Sequence, residues 1–310
     1  MTHSKPLTLL TILIGVLAVS TASLFIRFAQ AEASALAIAG FRMTLATLFL
    51  MPLVFVRCRP ELGKLNWKIG WKVILSGLFL AIHFASWITS LQFTSVASSV
   101  VLVTTTPLWV AIFGSLLLKE KLSKQIVIGL AVALTGSVLV GLSGELPAWL
   151  AGESGLKVSF ESNGTNMTGN LLALIGAWTA AGYMLIGRSV RPQLSLPVYT
   201  FLVYGTSAVI LLFTIAFNKI PLTGFTPAVY FWLLLLAVVP QLIGHSAFNW
   251  ALRYVPASLV SIALLGEPIG STILAMIFLR ENPVVFEVIG GIFILTGIYL
   301  SSRPTAPKNS

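Results

Sequence analysis

Two ionisable residues stand deep inside apolar runs of a sequence otherwise poor in charge: Arg42 in the run 34–56, and Glu267 near the middle of the run 256–279. A charge at bilayer depth costs about 3 kcal/mol or more, so each is expected to face a cavity or a partner. Two readings are open. In one, the two residues satisfy each other or neighbouring carbonyls and hold helices together. In the other, Glu267 takes a proton or a substrate amine, while Arg42 anchors a carboxylate or acts as a gating partner. Two polar stripes accompany them at helical spacing: His83, Trp87 and Ser90, then Gln241, His245 and Asn249, with Trp250 following. They read either as interhelical hydrogen bonding or as the wall of an aromatic and polar cavity for a small organic solute. Trp109 and Tyr183 are candidate additions to that wall. Pro107 and Pro268 each remove a backbone donor and crowd the carbonyl four residues earlier, at Val103 and Leu264. They are static kinks, or else paired hinges whose freed carbonyls meet solute. Thr104, Thr105 and Thr106 precede the first proline, with hydroxyls able to satisfy the freed backbone or to face the cavity.

The elements that position these residues follow from composition. Of 310 residues, 57% are hydrophobic and 9% charged, against about a quarter charged in a soluble domain. Ten runs are long enough to cross about 30 Å of hydrocarbon: 7–28, 34–56, 70–91, 95–118, 125–143, 169–190, 196–217, 228–251, 256–279 and 284–302. They are expected to be helices, because open strands leave backbone groups unpaired in lipid. The first begins after Lys5, and Ala29-Gln30-Ala31 resembles a signal-peptidase site. The run 7–28 is too long for a signal core and reads as a spanning helix. An all-α integral membrane protein with ten transmembrane helices is therefore expected.

The net charge of +10 does not mark a nucleic-acid partner, because the basic residues lie in short connections between apolar runs. With the N-terminus inside, the connections on the cytoplasmic side hold fourteen Lys and Arg, among them Arg57, Lys64, Lys124, Arg188, Arg191 and Arg253. The other side holds four: Arg27, Lys157, Lys219 and Arg280. By the positive-inside rule both termini are cytoplasmic, and the chain is expected to be multi-pass in the inner or plasma membrane. The connection 144–168 carries Glu145, Glu153 and Glu161, with sequons at Asn163 and Asn166. The single cysteine, Cys58, excludes an intramolecular disulfide.

The sequence also repeats itself. At a constant offset of 161 residues Gly15 falls on Gly176, Arg27 on Arg188, Pro107 on Pro268, Glu120 on Glu281 and Gly129 on Gly290. Leu134-Thr135-Gly136 falls on Leu295-Thr296-Gly297. Each copy holds five spans, an odd number, so the second enters the membrane inverted. Inverted repeats are a signature of secondary transporters that work by alternating access.

Phe41-Arg42, the stretch Thr94-Ser95-Val96-Ala97 through Pro107, and Lys119-Glu120-Lys121-Leu122 resemble the first EamA domain of the drug/metabolite transporter superfamily. Glu267-Pro268 and Leu279-Arg280-Glu281 resemble the second. The resemblance implies repeats at 1–143 and 169–303, a connecting loop at 144–168 and a tail at 304–310. It implies a central cavity lined mainly by spans 1–4 and 6–9, with spans 5 and 10 peripheral. Relatives move amino acids, other metabolites, nucleotide sugars or drugs, often outward. The Lys and Arg cluster that sugar-phosphate relatives use is not evident here.

The expected function is secondary transport of a small organic solute, an amino acid or related metabolite, in the export direction. A multidrug or nucleotide-sugar carrier, or a channel, is the alternative. The candidate substrate-binding residues are Arg42, His83, Trp87, Thr105, Thr106, Trp109, Tyr183, Gln241, His245, Asn249 and Glu267. Glu267 is the candidate for proton coupling, and Pro107 and Pro268 are the candidate hinges. No HExxH, GxSxG or P-loop pattern occurs and there is no Asp, so neither an enzyme nor a cofactor or metal is expected. Small-residue spacing at Gly266 and Gly270, and at Gly129, Gly136, Gly290 and Gly297, predicts close helix packing, with a homodimer through the peripheral helices as one use of it.

Overall fold

The computed structural model describes residues 5–63, 65–118, 124–141, 164–255, 260, 263–264 and 266–302. The Lys119–Leu122 motif, Glu145, Glu153, Glu161, Asn163 and the tail after Ser302 lie outside them. No strand occurs among the described residues. The elements are α1 (Lys5–Ser20), α2 (Ala22–Ala29), α3 (Ala35–Arg57), α4 (Arg59–Leu62), α5 (Trp67–Ser90), α6 (Val96–Val103), α7 (Thr106–Leu118) and α8 (Lys124–Gly141). After the connection come α9 (Gly164–Val190), α10 (Leu196–Phe217), α11 (Pro227–Leu236), α12 (Ser246–Ala251), α13 (Gly266–Leu274) and α14 (Val285–Ser302). Two π-helical stretches, Ala237–His245 and Ala275–Leu279, extend α11 and α13. Among the described residues, seven helical segments are long and apolar enough to cross a membrane, and three shorter apolar helices occur at Val127–Gly136, Gly266–Leu279 and Val285–Gly297. The helix α9 begins at Gly164, so Asn166 lies in its first turn and not in the preceding loop.

The helix ends follow their sequences. Ser34, Asn66 and Ser95 accept the exposed N–H groups of Ala37, Ile69 and Ser98 at the starts of α3, α5 and α6. Proline opens the first turns of α10 and α11, where its missing donor costs no hydrogen bond. Large side chains on the outer faces, such as Leu17, Phe213, Phe217 and Ile277, are exposed. They are the lipid-facing complement of a core built around Ile38, Leu80, Phe84, Tyr199 and Leu236.

Lipid removes the hydrophobic drive between helices, so close packing at small residues takes its place. The helices α8 and α14 cross where a methyl on Gly136 would lie 2.5 Å from the Gly290 carbonyl oxygen, and one on Gly297 would strike Gly129. The sequence offset relates Gly129 to Gly290 and Gly136 to Gly297. The two contacts are therefore equivalents of each other, and the helices run antiparallel. The glycine faces named as a docking surface for a second copy are thus spent within the chain. The pattern recurs across the molecule: Gly15 packs on Phe248 as Gly176 packs on Trp87, and the same offset relates those pairs. Gly266 and Gly270 bring α13 against Val16 and Ser20 of α1.

Candidate functional site

The apolar run 95–118 breaks at Thr104–Thr105, between α6 and α7, just before Pro107. The prolines crowd the carbonyls of Val103 and Leu264, yet both have donors. Thr106 Oγ1 donates to Val103 O at 2.8 Å, and the Glu267 N–H donates to Leu264 O at 2.9 Å. The hydroxyls of Thr104 and Thr105 turn back to Val100 and Leu102 carbonyls, at 2.8 and 2.7 Å. The threonines therefore satisfy the broken helix, and the Val103 and Leu264 carbonyls each already accept one hydrogen bond.

The break opens onto a cavity of about 60 Å³, room for several waters. Its polar walls come from His83 and Trp87 on α5, Thr104 and Thr106 at the break, Tyr183 on α9, His245 at the end of the π-helical stretch, Asn249 on α12 and Glu267 on α13. Val103, Met184, Phe248, Leu252 and Leu264 supply its apolar lining. No described residue of α1, α2, α3 or α10 lines it, so the wall is narrower than the family resemblance implies.

Seven of the candidate residues thus meet at one cavity: His83, Trp87, Thr106, Tyr183, His245, Asn249 and Glu267. Arg42, Thr105, Trp109 and Gln241 do not line it. Arg42 is fully buried behind the wall. Its Nε–H donates to Gln241 Oε1 at 2.8 Å, and its guanidinium lies 4.0 Å over the Phe84 ring. Its two terminal nitrogens have no hydrogen-bond partner among the described residues. Arg42 and Glu267, the two deep charges of the sequence, form no salt bridge among the described residues. Trp109 donates its indole N–H to Thr105 Oγ1 at 3.2 Å and packs edge-on against Trp178. Gln241 is turned from the stripe it shares in sequence with His245 and Asn249. It lies inside the π-helical stretch, whose i→i+5 turns rotate residues relative to an α-helical face.

A hydrogen-bonded network extends from the cavity. Tyr183 donates to Asn249 Oδ1 at 2.7 Å, and Asn249 Nδ2 donates to Tyr204 Oη at 3.3 Å. The Asn249 backbone carbonyl accepts from Arg191 Nε at 2.9 Å. Arg191 is 1% exposed and also donates to Leu194 O, with its guanidinium beside Tyr199. By position in sequence it read only as a loop charge.

A second assembly closes the end that carries Arg27. Arg27 Nη2 pairs with Glu281 Oε1 at 3.0 Å and donates to Thr94 O at 3.0 Å. The other Glu281 oxygen accepts the Val96 N–H at 3.0 Å, at the start of α6. Glu287 accepts from Ser98 Oγ at 2.6 Å and from Ser95 Oγ. Gln30 donates to Ile88 O at 2.8 Å. These contacts tie α2, the α5–α6 turn, the first turn of α6, the connection before α14 and the first turn of α14 into one latch. It stands about 12 Å along α6 from the cavity, at 1.5 Å per helical residue. Its signal in sequence was the match of Glu120 with Glu281 and of Arg27 with Arg188, which the repeat used only as markers.

A cavity with buried charge, enclosed by apolar helices that break beside it, defines a class: multi-pass membrane proteins that carry solutes. The family comparison agrees, and the chain belongs to the EamA-like transporter family, whose model matches residues 6–142 and again 167–303. An uncharacterized transporter of Archaeoglobus fulgidus is 25% identical over 281 residues, covering 90% of this chain and 91% of its own. The uncharacterized transporter YetK of Bacillus subtilis is 26% identical over 271 residues, covering 82% of this chain and 76% of its own. A crystal structure shares the fold with a TM-score of 0.65 at 18% identity, over 96% of both chains. The family and relatives are consistent with the drug/metabolite transporter superfamily, and they assign membrane transport of a small molecule in general terms.

Proposed function

We propose that the chain is a secondary transporter that moves a small organic solute, an amino acid or related metabolite, by alternating access. In this reading ten helices cross the membrane as two inverted five-helix repeats. The end rich in Arg and Lys, with both termini, faces the cytoplasm, and net movement is outward. The observation that carries it is the cavity itself. Glu267, 8% exposed, lines it beside the break in α6–α7, and both halves contribute walls. The equivalent contacts Gly136–Gly290 and Gly129–Gly297 support two halves related by an axis in the membrane plane.

Glu267 is the proton-coupling residue in this proposal. Its carboxylate has no hydrogen bond among the described residues, and Arg42 supplies the nearby positive charge. Full-length protein in proteoliposomes should show saturable flux that a pH gradient drives. Glu267→Gln, which keeps shape but not ionisation, should abolish the drive while leaving exchange at equal pH measurable. Undiminished pH-driven uptake by that variant refutes the coupling role. Flux that rises linearly with substrate refutes the carrier.

A further inference from the structure

The polarity of the cavity wall carries the reading further. Count where each lining group sends its proton. The Nδ1 of His83 lies 2.9 Å from the Gly176 carbonyl oxygen, which can only accept, so the ring proton sits on Nδ1. In the neutral ring Nε2 is then a bare acceptor. Thr104 spends its hydroxyl proton on Val100 O and Val101 O, at 2.8 and 3.0 Å. Thr106 spends its own on Val103 O at 2.8 Å, with Ala177 O at 3.4 Å. Tyr183 gives its proton to Asn249 Oδ1 at 2.7 Å. What these four present to a guest is lone pairs. Glu267 adds a carboxylate, which when ionised accepts only.

The donors are few. Asn249 is 1% exposed and has committed one N–H to Tyr204. The Trp87 indole nitrogen is buried without a partner and takes no part in the open surface. His245 adds a ring proton that no described residue accepts, beside the second Asn249 N–H and the Trp87 indole N–H. Arg42, the strong donor of the region, is fully buried and is not in the wall. The remaining surface is apolar and aromatic, with Phe248, Met184, Leu252 and Leu264.

We infer that the cavity selects a guest with several N–H donors on one small group and an apolar body, that is, a primary ammonium on a hydrocarbon or aromatic stem. The inference rests on the carrier reading above and narrows its substrate to amines without a free carboxylate, which sets aside free amino acids in favour of related metabolites. A free carboxylate would meet lone pairs and a like charge. A quaternary ammonium would have the right charge and nothing to donate. Arg42 offsets part of the Glu267 charge from behind the wall, so hydrogen bonding, more than net charge, carries the selection.

The test uses three probes of one shape on purified full-length protein: 2-phenylethylamine, its N,N,N-trimethyl analogue and 3-phenylpropanoate. Titration calorimetry should show the primary amine binding at least about ten-fold tighter than either of the others, the scale of one lost hydrogen bond to a charged group. Glu267→Gln should weaken the amine by a similar factor. Thr106→Val, which removes an acceptor and keeps the volume, should weaken the amine by about three- to ten-fold and leave the trimethyl analogue unchanged. Equal or tighter binding of the trimethyl compound or of the carboxylate overturns the inference, as does no binding of the amine at about 10 mM, where even a Kd of about 1 mM would fill about 90% of the sites. Binding and flux fail separately. Saturable flux of a carboxylate without amine binding overturns the substrate class and leaves the carrier standing.

Discussion

At the scale of single residues, the cavity wall rests on hydrogen bonds such as the one Tyr183 donates to Asn249 Oδ1 at 2.7 Å. His83 and Trp87 sit one α-helical turn apart, and α5 keeps that spacing, so both reach the cavity as the sequence stripe implies. Gln241 fails the same argument because the π-helical turns around it are not readable from apolar periodicity. Arg42 was legible as a deep charge, but no pattern along the chain showed that it stands behind Phe84 and not inside the cavity. Tyr183 gives a prediction at this scale. Tyr183→Phe leaves Asn249 Oδ1 buried without its donor, at a cost of about 1–2 kcal/mol. Thermal unfolding in detergent should show that loss. Thr179→Val should be nearly neutral, because its hydroxyl only backs onto Ile175 and Gly176 of its own helix.

Elements were the most legible level. Among the described residues, seven of the apolar runs form helices long enough to cross a membrane, and caps such as Ser34, Asn66 and Ser95 mark the starts of helices. The helix breaks were half legible: Pro107 announces that α6 cannot run unbroken into α7, but not that Thr106 closes the gap. Packing partners were not legible at all, because glycine spacing says that a close neighbour exists without naming it. The crossing of α8 and α14 tests that pairing. Gly136→Leu places a side chain where the Gly290 carbonyl already lies. The helices must then separate, and overpacking of this kind costs about 1–3 kcal/mol or more. The expected result is a broadened or aggregated size-exclusion profile. Gly70→Ala in α5 has nothing within 4 Å. It should be neutral or stabilise by about 0.5–1 kcal/mol through helix propensity.

For the whole molecule, the latch at the Arg27 end should govern access to the cavity from that side, an expectation that labelling can check. The ion pair is partly exposed, at 24% and 32% for its two side chains, so by itself it is worth about 0–1 kcal/mol. With the bonds to Thr94 and Val96 the assembly is worth about 1–2 kcal/mol, enough to shift an equilibrium about five- to thirty-fold. With Cys58 replaced by Ser, a cysteine introduced as Thr106→Cys should react slowly with a membrane-impermeant maleimide applied at the Arg27 end. Arg27→Gln should speed that labelling by about five-fold or more. An unchanged rate would show that the latch does not control entry. The mismatch of Thr106 with Glu267 at equivalent places in the two repeats has a wider bearing. Were the halves identical, opening toward either side would produce states of equal free energy, and the empty protein would divide evenly between them. An acid on one side of the pseudo-axis and an alcohol on the other lift that degeneracy. Under the proposed alternating access, the unloaded molecule would then have a preferred resting orientation, and the ionisation of Glu267 would contribute to how strong the preference is.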